Sequence, residues 1–168
     1  MRIFHSIMTY KYFSKYKKGF TLIELIIVLA IISILAAIAL PMAEVAVKRE
    51  KEIELRRALR TIREAIDEYK RLADEKRIVG EIDPETYGYP PNLEILVKGV
   101  KIREKDGKIR IRKFLRRIPK DPMTNSYDWG LRSYQDEPDS TTWGGQNVYD
   151  IYTKSTATAL DGTKYNTW

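Results

Sequence analysis

The sequence predicts an α+β chain: a long N-terminal helix, membrane-embedded in its first half, with a small antiparallel β-sheet head packed on its second half. Three observations lead there. Nothing is charged from Leu25 to Ala43. An apolar stripe at helical spacing runs on from Leu55. Beyond it, short alternating runs are separated by Gly, Pro, Asn and Asp, the pattern of strands and turns.

The first element centres on KKGFTLIELIIVLAIISILAAIALP, residues 17–41. At about 1.5 Å per residue, about 20 such residues cross a hydrocarbon core of about 30 Å. Within the uncharged run only Ser33 and Pro41 break the apolar character, and soluble core helices are seldom apolar for so long. Residues 1–19 carry Arg2, Lys11, Lys15, Lys17 and Lys18 without an acid, as the start of a secretory signal does. No A-x-A site followed by a convincing mature start is found, however, and the helical pattern continues past Pro41, so the span is expected to stay. Lys48, Arg49, Lys51, Arg56 and Arg57 follow it, so counting basic residues does not fix the orientation. Long downstream domains cross largely regardless of charge, which favours a cytoplasmic N-terminus.

The other elements follow in order. Residues 44–54, EVAVKREKEIE, are charged with a loose apolar pattern and read as a helical neck. Leu55, Leu59, Ile62, Ile66, Tyr69 and Ala73 then form one continuous face, which reads as core. Glu44–Lys48, Glu52–Arg56 and Asp67–Arg71 are acid-before-base pairs one turn apart. Gly80 and Pro84 to Pro91 make a loop, and Asn92 is placed to cap a short helix to about Lys98. Asp106-Gly107 between residues 100–104 and 108–112 predicts a hairpin with Ile109 and Ile111 toward the helix and Arg110 and Arg112 in solvent. Strands are expected over 129–135 and 147–153, on either side of the turn-rich DEPDSTTWGG. The last third is rich in aromatics (Tyr127, Trp129, Tyr134, Trp143, Tyr149, Tyr152, Tyr165, Trp168), read mostly as strand packing.

Lys17-Lys18-Gly19-Phe20-Thr21-Leu22-Ile23-Glu24 resembles the processing site of type IV prepilins and pseudopilins. In that family a membrane peptidase cuts between the glycine and the aromatic residue and methylates the new amino terminus. The resemblance makes residues 1–19 a cleaved basic leader, Gly19 its last residue, Phe20 the mature N-terminus and Glu24 the family's glutamate, with Thr21 and Pro41 also at family positions. A leader of this length is long for the family, so Met8 is an alternative start. Tyr89-Pro90-Pro91-Asn92-Leu93-Glu94 with Leu96-Val97, and then Phe114 to Pro122, are similar to the head of the major (G-type) pseudopilin of the type II secretion system. The organisation implied is leader 1–19, transmembrane and assembly helix 20–43, neck 44–54 and periplasmic head 55–168. The implied partners are further copies in a helical homopolymer, prepilin peptidase, other pseudopilins, the inner-membrane assembly platform and the membrane itself. A surface type IV pilus subunit shares everything up to about Leu55; a membrane-tethered periplasmic binding module that never polymerises is the rival from another class.

The family's glutamate explains an otherwise costly residue. A carboxylate within a bilayer costs about 2.5–3.5 kcal/mol at mid-helix and less near the interface, and such groups usually face a protein partner. In the family's filaments this acid faces the free amine of a neighbouring subunit, which here would be that of Phe20. Glu24 is then a register-setting group; the plainer reading is a side chain reaching back to lipid headgroups.

Charge and chemistry narrow the rest. The chain is +7, but residues 1–19 hold five basic residues and no acid, so the processed chain is +2. Nucleic acid is therefore not the expected partner, although residues 101–120 hold ten basic residues and two acids while 121–168 hold three and seven. That asymmetry is a solvated face, a complementary contact between neighbouring heads, or a DNA-binding strip at Lys101, Arg103, Arg110 and Arg112. There is no cysteine, and the one histidine, His5, lies in the leader; thiolate and imidazole chemistry are absent after processing, and no enzyme activity is expected. G-type heads resemble one another in a C-terminal calcium loop that begins with an Asp-Gly step. Asp161-Gly162 matches the step, which makes Asp161 a calcium candidate, but Lys164, Tyr165 and Asn166 stand where further acids are wanted. Only Asp150, Asp136 and Asp139 are at hand to help; the alternative is a plain turn residue.

Overall fold

The computed structural model describes residues 19–168; Arg2, His5, Met8, Lys11, Lys15, Lys17 and Lys18 of the leader lie outside the described residues. The chain divides into two compact units, one ending at Met42 and the other spanning Ala43–Trp168. The first helix, α1 (Leu22–Asp74), contributes to both and includes Pro41 without interruption.

In the first unit the helix is apolar on every side. Leu22, Ile26, Leu29, Ile32, Leu35, Ile38 and Met42 are all more than half exposed in the isolated chain. The hydroxyl of Ser33 donates to the Leu29 carbonyl at 2.7 Å, so even this polar group is satisfied within the helix. Apart from the Glu24 carboxylate and the carbonyl that Pro41 leaves open, nothing here needs water, and a helix otherwise apolar all round is one that lipid or other helices cover.

In the second unit the predicted stripe is the core. Leu55, Leu59, Ile62, Ile66, Tyr69 and Ala73 are buried, joined by Ala58 and Ala65. All but Ala73 pack with Leu93, Leu96, Leu115, Trp129, Val148, Ile151, Ala159 and Tyr165 from the rest of the head. Burial begins one turn before the stripe, at Glu52. Of the predicted helix pairs, Glu52 turns inward instead of meeting Arg56, and Arg71 pairs with Glu68 and Glu75 instead of Asp67.

Around that face come a short helix, α2 (Glu94–Lys98), and strands β1 (Val100–Arg103), β2 (Ile109–Arg112), β3 (Gly130–Arg132) and β4 (Asp150–Tyr152). The Asn92 side chain accepts from the Ile95 N–H at 3.1 Å, the cap expected of it. The strands make two separate two-stranded antiparallel sheets, β1–β2 and β3–β4, rather than the single small sheet the sequence predicts. The β3 and β4 strands are also shorter than the apolar alternation around them suggests.

The β1–β2 hairpin forms where predicted and leaves Arg110 and Arg112 in solvent as expected, but Ile109 and Ile111 do not face the helix, since β2 is exposed along its whole length. Gly107, at φ 82°, closes the turn at Asp106-Gly107, and Arg103 pairs with Ile109. Cross-strand partners share a face, so Ile109 joins Arg103 and Ile111 joins Lys101 on the solvent side. Ile102, buried at 2 % exposure, defines the core side, whereas Ile109 and Ile111 are 54 % and 66 % exposed. A strand's faces depend on register alone, and one residue of offset exchanges them. On its other edge β1 is joined by residues 77–79, through Val79 N–H to Lys101 O (2.8 Å) and Arg103 N–H to Arg77 O (2.7 Å). Gly99 makes the entry possible, since a Cβ there would lie 2.5 Å from the Arg112 carbonyl.

Candidate assembly segment and the helix–head clamp

The start of α1 is a closed hydrogen-bonded unit. Thr21 donates to Glu24 Oε2 from its backbone N–H (2.9 Å) and from its hydroxyl (3.1 Å). The Glu24 N–H donates back to the Thr21 hydroxyl at 3.2 Å, and the Leu25 N–H reaches the Thr21 carbonyl at 3.2 Å. This reciprocal arrangement is a capping box, Thr at the N-cap and Glu three residues on. It satisfies donors that a helix otherwise leaves open, which matters most where no water is present to take them. The signature T-x-x-E before an apolar run is visible in the sequence, but the resemblance drew attention to Glu24 as an intersubunit group and away from this local role.

Gly19 and Phe20 precede the cap outside the helix, and both are exposed. A Cβ on Gly19 would meet nothing within 4 Å among the described residues. The packing of the described residues therefore does not require glycine at this position. The Phe20 ring is 90 % exposed, so its size is not used by the chain's own packing either. Pro41 lies in the same unit inside α1, and an N–H is missing opposite the Ala37 carbonyl.

Residues 14–40 match the family model described as the prokaryotic N-terminal methylation motif. The N-terminal segment is thus type IV pilin-like. Neither the curated proteins nor the solved structures include a match to the chain. The motif and the long apolar helix together fit membrane anchoring, and the motif implies processing by a prepilin peptidase and pilus-type assembly.

In the head unit, sequence reading missed a second carboxylate with a defined task. Glu52 Oε1 accepts from the Leu160 N–H and from the Tyr165 hydroxyl, each at 2.8 Å, and both groups belong to the C-terminal segment. Burial first, and then the bond to Glu52, pushes the Tyr165 hydroxyl up to about 12. One turn on, the Arg56 guanidinium lies 4.2 Å from the centre of the Trp168 ring. Two turns further, Arg63 donates to Asp150 (2.7 and 3.3 Å), to the Ile151 carbonyl and to the Trp168 carbonyl (both 3.1 Å). Three side chains on one side of the helix thus hold strand β4 and the last dozen residues. No spacing rule pairs residues 52 and 165, so this clamp was not readable from the chain.

The C-terminal loop carries Asp161 as a turn residue. Its Oδ1 accepts from the Thr163 N–H (2.9 Å) and hydroxyl (2.6 Å), and its Oδ2 lies 3.7 Å from Arg56. The Thr163 bonds first, with Arg56 adding to them, hold this carboxyl below the usual range. Asp150 is committed to Arg63, and Asp136 to the N–H groups of Ser133 and Gly144. Among the described residues no three acidic side chains converge to hold a metal ion. A single carboxylate with a guanidinium beside it falls short of the six to eight oxygens calcium takes.

Proposed function

We propose that this chain is the structural subunit of a periplasmic pseudopilus that drives protein export by type II secretion. It would be held in the inner membrane by α1 with the leader cytoplasmic and the head periplasmic, cleaved after Gly19, and polymerised through its N-terminal helix. The observation that carries this reading is the juxtaposition, within a single segment, of the methylation motif with a helix apolar on every side and a lone carboxylate at its start. A mere tether needs neither the exposed Gly19-Phe20 step nor Glu24. The choice of secretion over a surface pilus rests on the likeness of residues 89–97 and 114–122 to G-type heads.

Glu24 then has two tasks, capping its own helix and meeting the amine freed on Phe20 of a neighbour. A paired charge away from water holds position strongly, and an unpaired one is expensive. Two variants separate the tasks. Glutamine at the third helical position still completes a capping box but carries no charge. Glu24→Gln and Glu24→Ala are both expected to be cleaved at Phe20 and to yield no filaments by electron microscopy of overexpressing cells. Normal filament yield from Glu24→Gln, with loss only in Glu24→Ala, would reduce Glu24 to a cap. Deletion that removes surface pili and spares exoprotein release would move the chain to the pilus class.

A further inference from the structure

Four tyrosines crowd one part of the head surface. Tyr89 and Tyr134 stack at 5.7 Å between ring centres, Tyr87 lies 5.5 Å from Tyr134, and Tyr149 stands edge-on to Tyr89 at 5.2 Å and to Tyr134 at 5.4 Å. Tyr87, Tyr134 and Tyr149 are 56 %, 53 % and 47 % exposed, so this cluster is not core. It joins two loops that are tied by a bond from Gln135 Nε2 to the Glu85 carbonyl at 3.0 Å. Those loops, residues 81–89 and 134–149, hold six acids and no basic residue. Glu81, Glu85, Glu137 and Asp139 are exposed. A cation already uses the patch: Lys70 Nζ sits 5.4 Å from the centre of the Tyr89 ring while bonding Asp74 at 2.5 Å. Rings with acids around them attract cations through both the ring face and the field.

The complementary surface lies on the same head. The outer face of the β1–β2 hairpin presents Lys101 and Arg103 beside the exposed Ile109 and Ile111, with Lys105 and Lys108 at the turn. Isoleucines flanked by cations fit rings flanked by acids. The two surfaces border different sides of α1: Arg112 of the hairpin approaches Glu68 at 3.9 Å, whereas the tyrosines border Lys70 and Asp74.

We infer that the tyrosine patch of one head receives the outer hairpin face of a second copy of this chain, with Arg103 and Lys101 over the rings and the isoleucines against their edges. Two unlike surfaces make a head-to-tail contact, which extends into an open helix unless its rotation closes a ring. The inference rests on the polymer reading and adds to it where neighbouring heads touch.

Because the chain has no cysteine, pairs can be placed without background. Tyr134→Cys combined with Ile109→Cys changes two half-exposed positions, in the full chain, in cells whose filaments are imaged in parallel. Oxidation is expected to give a ladder of linked subunits on a non-reducing gel, and each single variant at most a dimer. Lys101→Glu with Arg103→Glu is expected to cut filament yield at least tenfold, and adding Glu85→Lys with Glu137→Lys to restore part of it. Filaments of normal yield that give no ladder and ignore the charge reversal overturn the contact while leaving the polymer intact. Absence of filaments from the unaltered chain removes the polymer reading and this contact with it.

Discussion

Tyr165→Phe removes a single oxygen and little else. The ring is 2 % exposed and packs edge-on to Trp168 at 5.1 Å, and both features survive in phenylalanine. What is lost is the hydroxyl donor to Glu52 Oε1, leaving the carboxylate with the Leu160 N–H alone. A hydrogen bond to a charged group contributes about 1.5–3 kcal/mol. For a head of this size each kcal/mol moves the midpoint by about 3–5 °C, so Tm should fall by about 5–15 °C. The assay is thermal unfolding of the detergent-solubilised full chain, followed by circular dichroism at neutral pH. The alkaline limb supplies an independent check. The hydroxyl's folded pKa lies above the value of about 10 expected when unfolded, so its contribution is complete below about pH 10 and fades as pH climbs toward about 12. The unaltered chain should lose stability through that window more steeply than Tyr165→Phe. A variant that melts within about 1 °C of the parent, with the same alkaline slope, would refute a Glu52 clamp.

Three further outcomes are expected. Gly19→Leu should leave the head's melting unchanged, because nothing surrounds that position, yet mass spectrometry of the membrane fraction should find the leader uncut; cleavage at the normal rate would remove Gly19 from the processing site. Ile102→Ala should cost about 2–5 kcal/mol as a buried large-to-small change, whereas Ile109→Ala should stay within about 0.5 kcal/mol in the isolated subunit; comparable losses would mean that the hairpin register is wrong. Calcium against chelator should shift Tm by less than about 1 °C if Asp161 is a turn residue only, and a stabilisation of several degrees would give the loop a site.

What the chain disclosed about itself follows the range of the forces involved. The helix, its buried stripe from Leu55 to Ala73 and the Asn92 cap depend on spacing within a few residues, and these could be read directly. The hairpin could be located from Asp106-Gly107, but its faces could not be assigned. Both strands alternate apolar with basic residues, so Ile102 and the Ile109–Ile111 pair competed for the core, and the pairing across the turn decided between them. The segment 44–54 looked merely charged, because a glutamate that turns inward is indistinguishable from its solvated neighbours until Tyr165 and Leu160 arrive from more than a hundred residues away. The aromatics of the last third read mostly as packing with no exposed ring singled out; Trp129 and Tyr165 are packing, whereas Tyr134 and Tyr149 meet Tyr87 and Tyr89 at the surface. At the N-terminus the motif was plain, and the capping role of Thr21 and Glu24 was equally plain but overshadowed.

On the polymer reading proposed above, the cap has a consequence for how subunits would come and go. Both Thr21 donors converge on Oε2 of Glu24, and among the described residues none reaches Oε1. An incoming amine can therefore take the vacant oxygen while the occupied one goes on holding the first turn. Joining and leaving a fibre would then cost no local unfolding, and a protomer released from the polymer could slip back into the lipid reservoir already shaped for its next use.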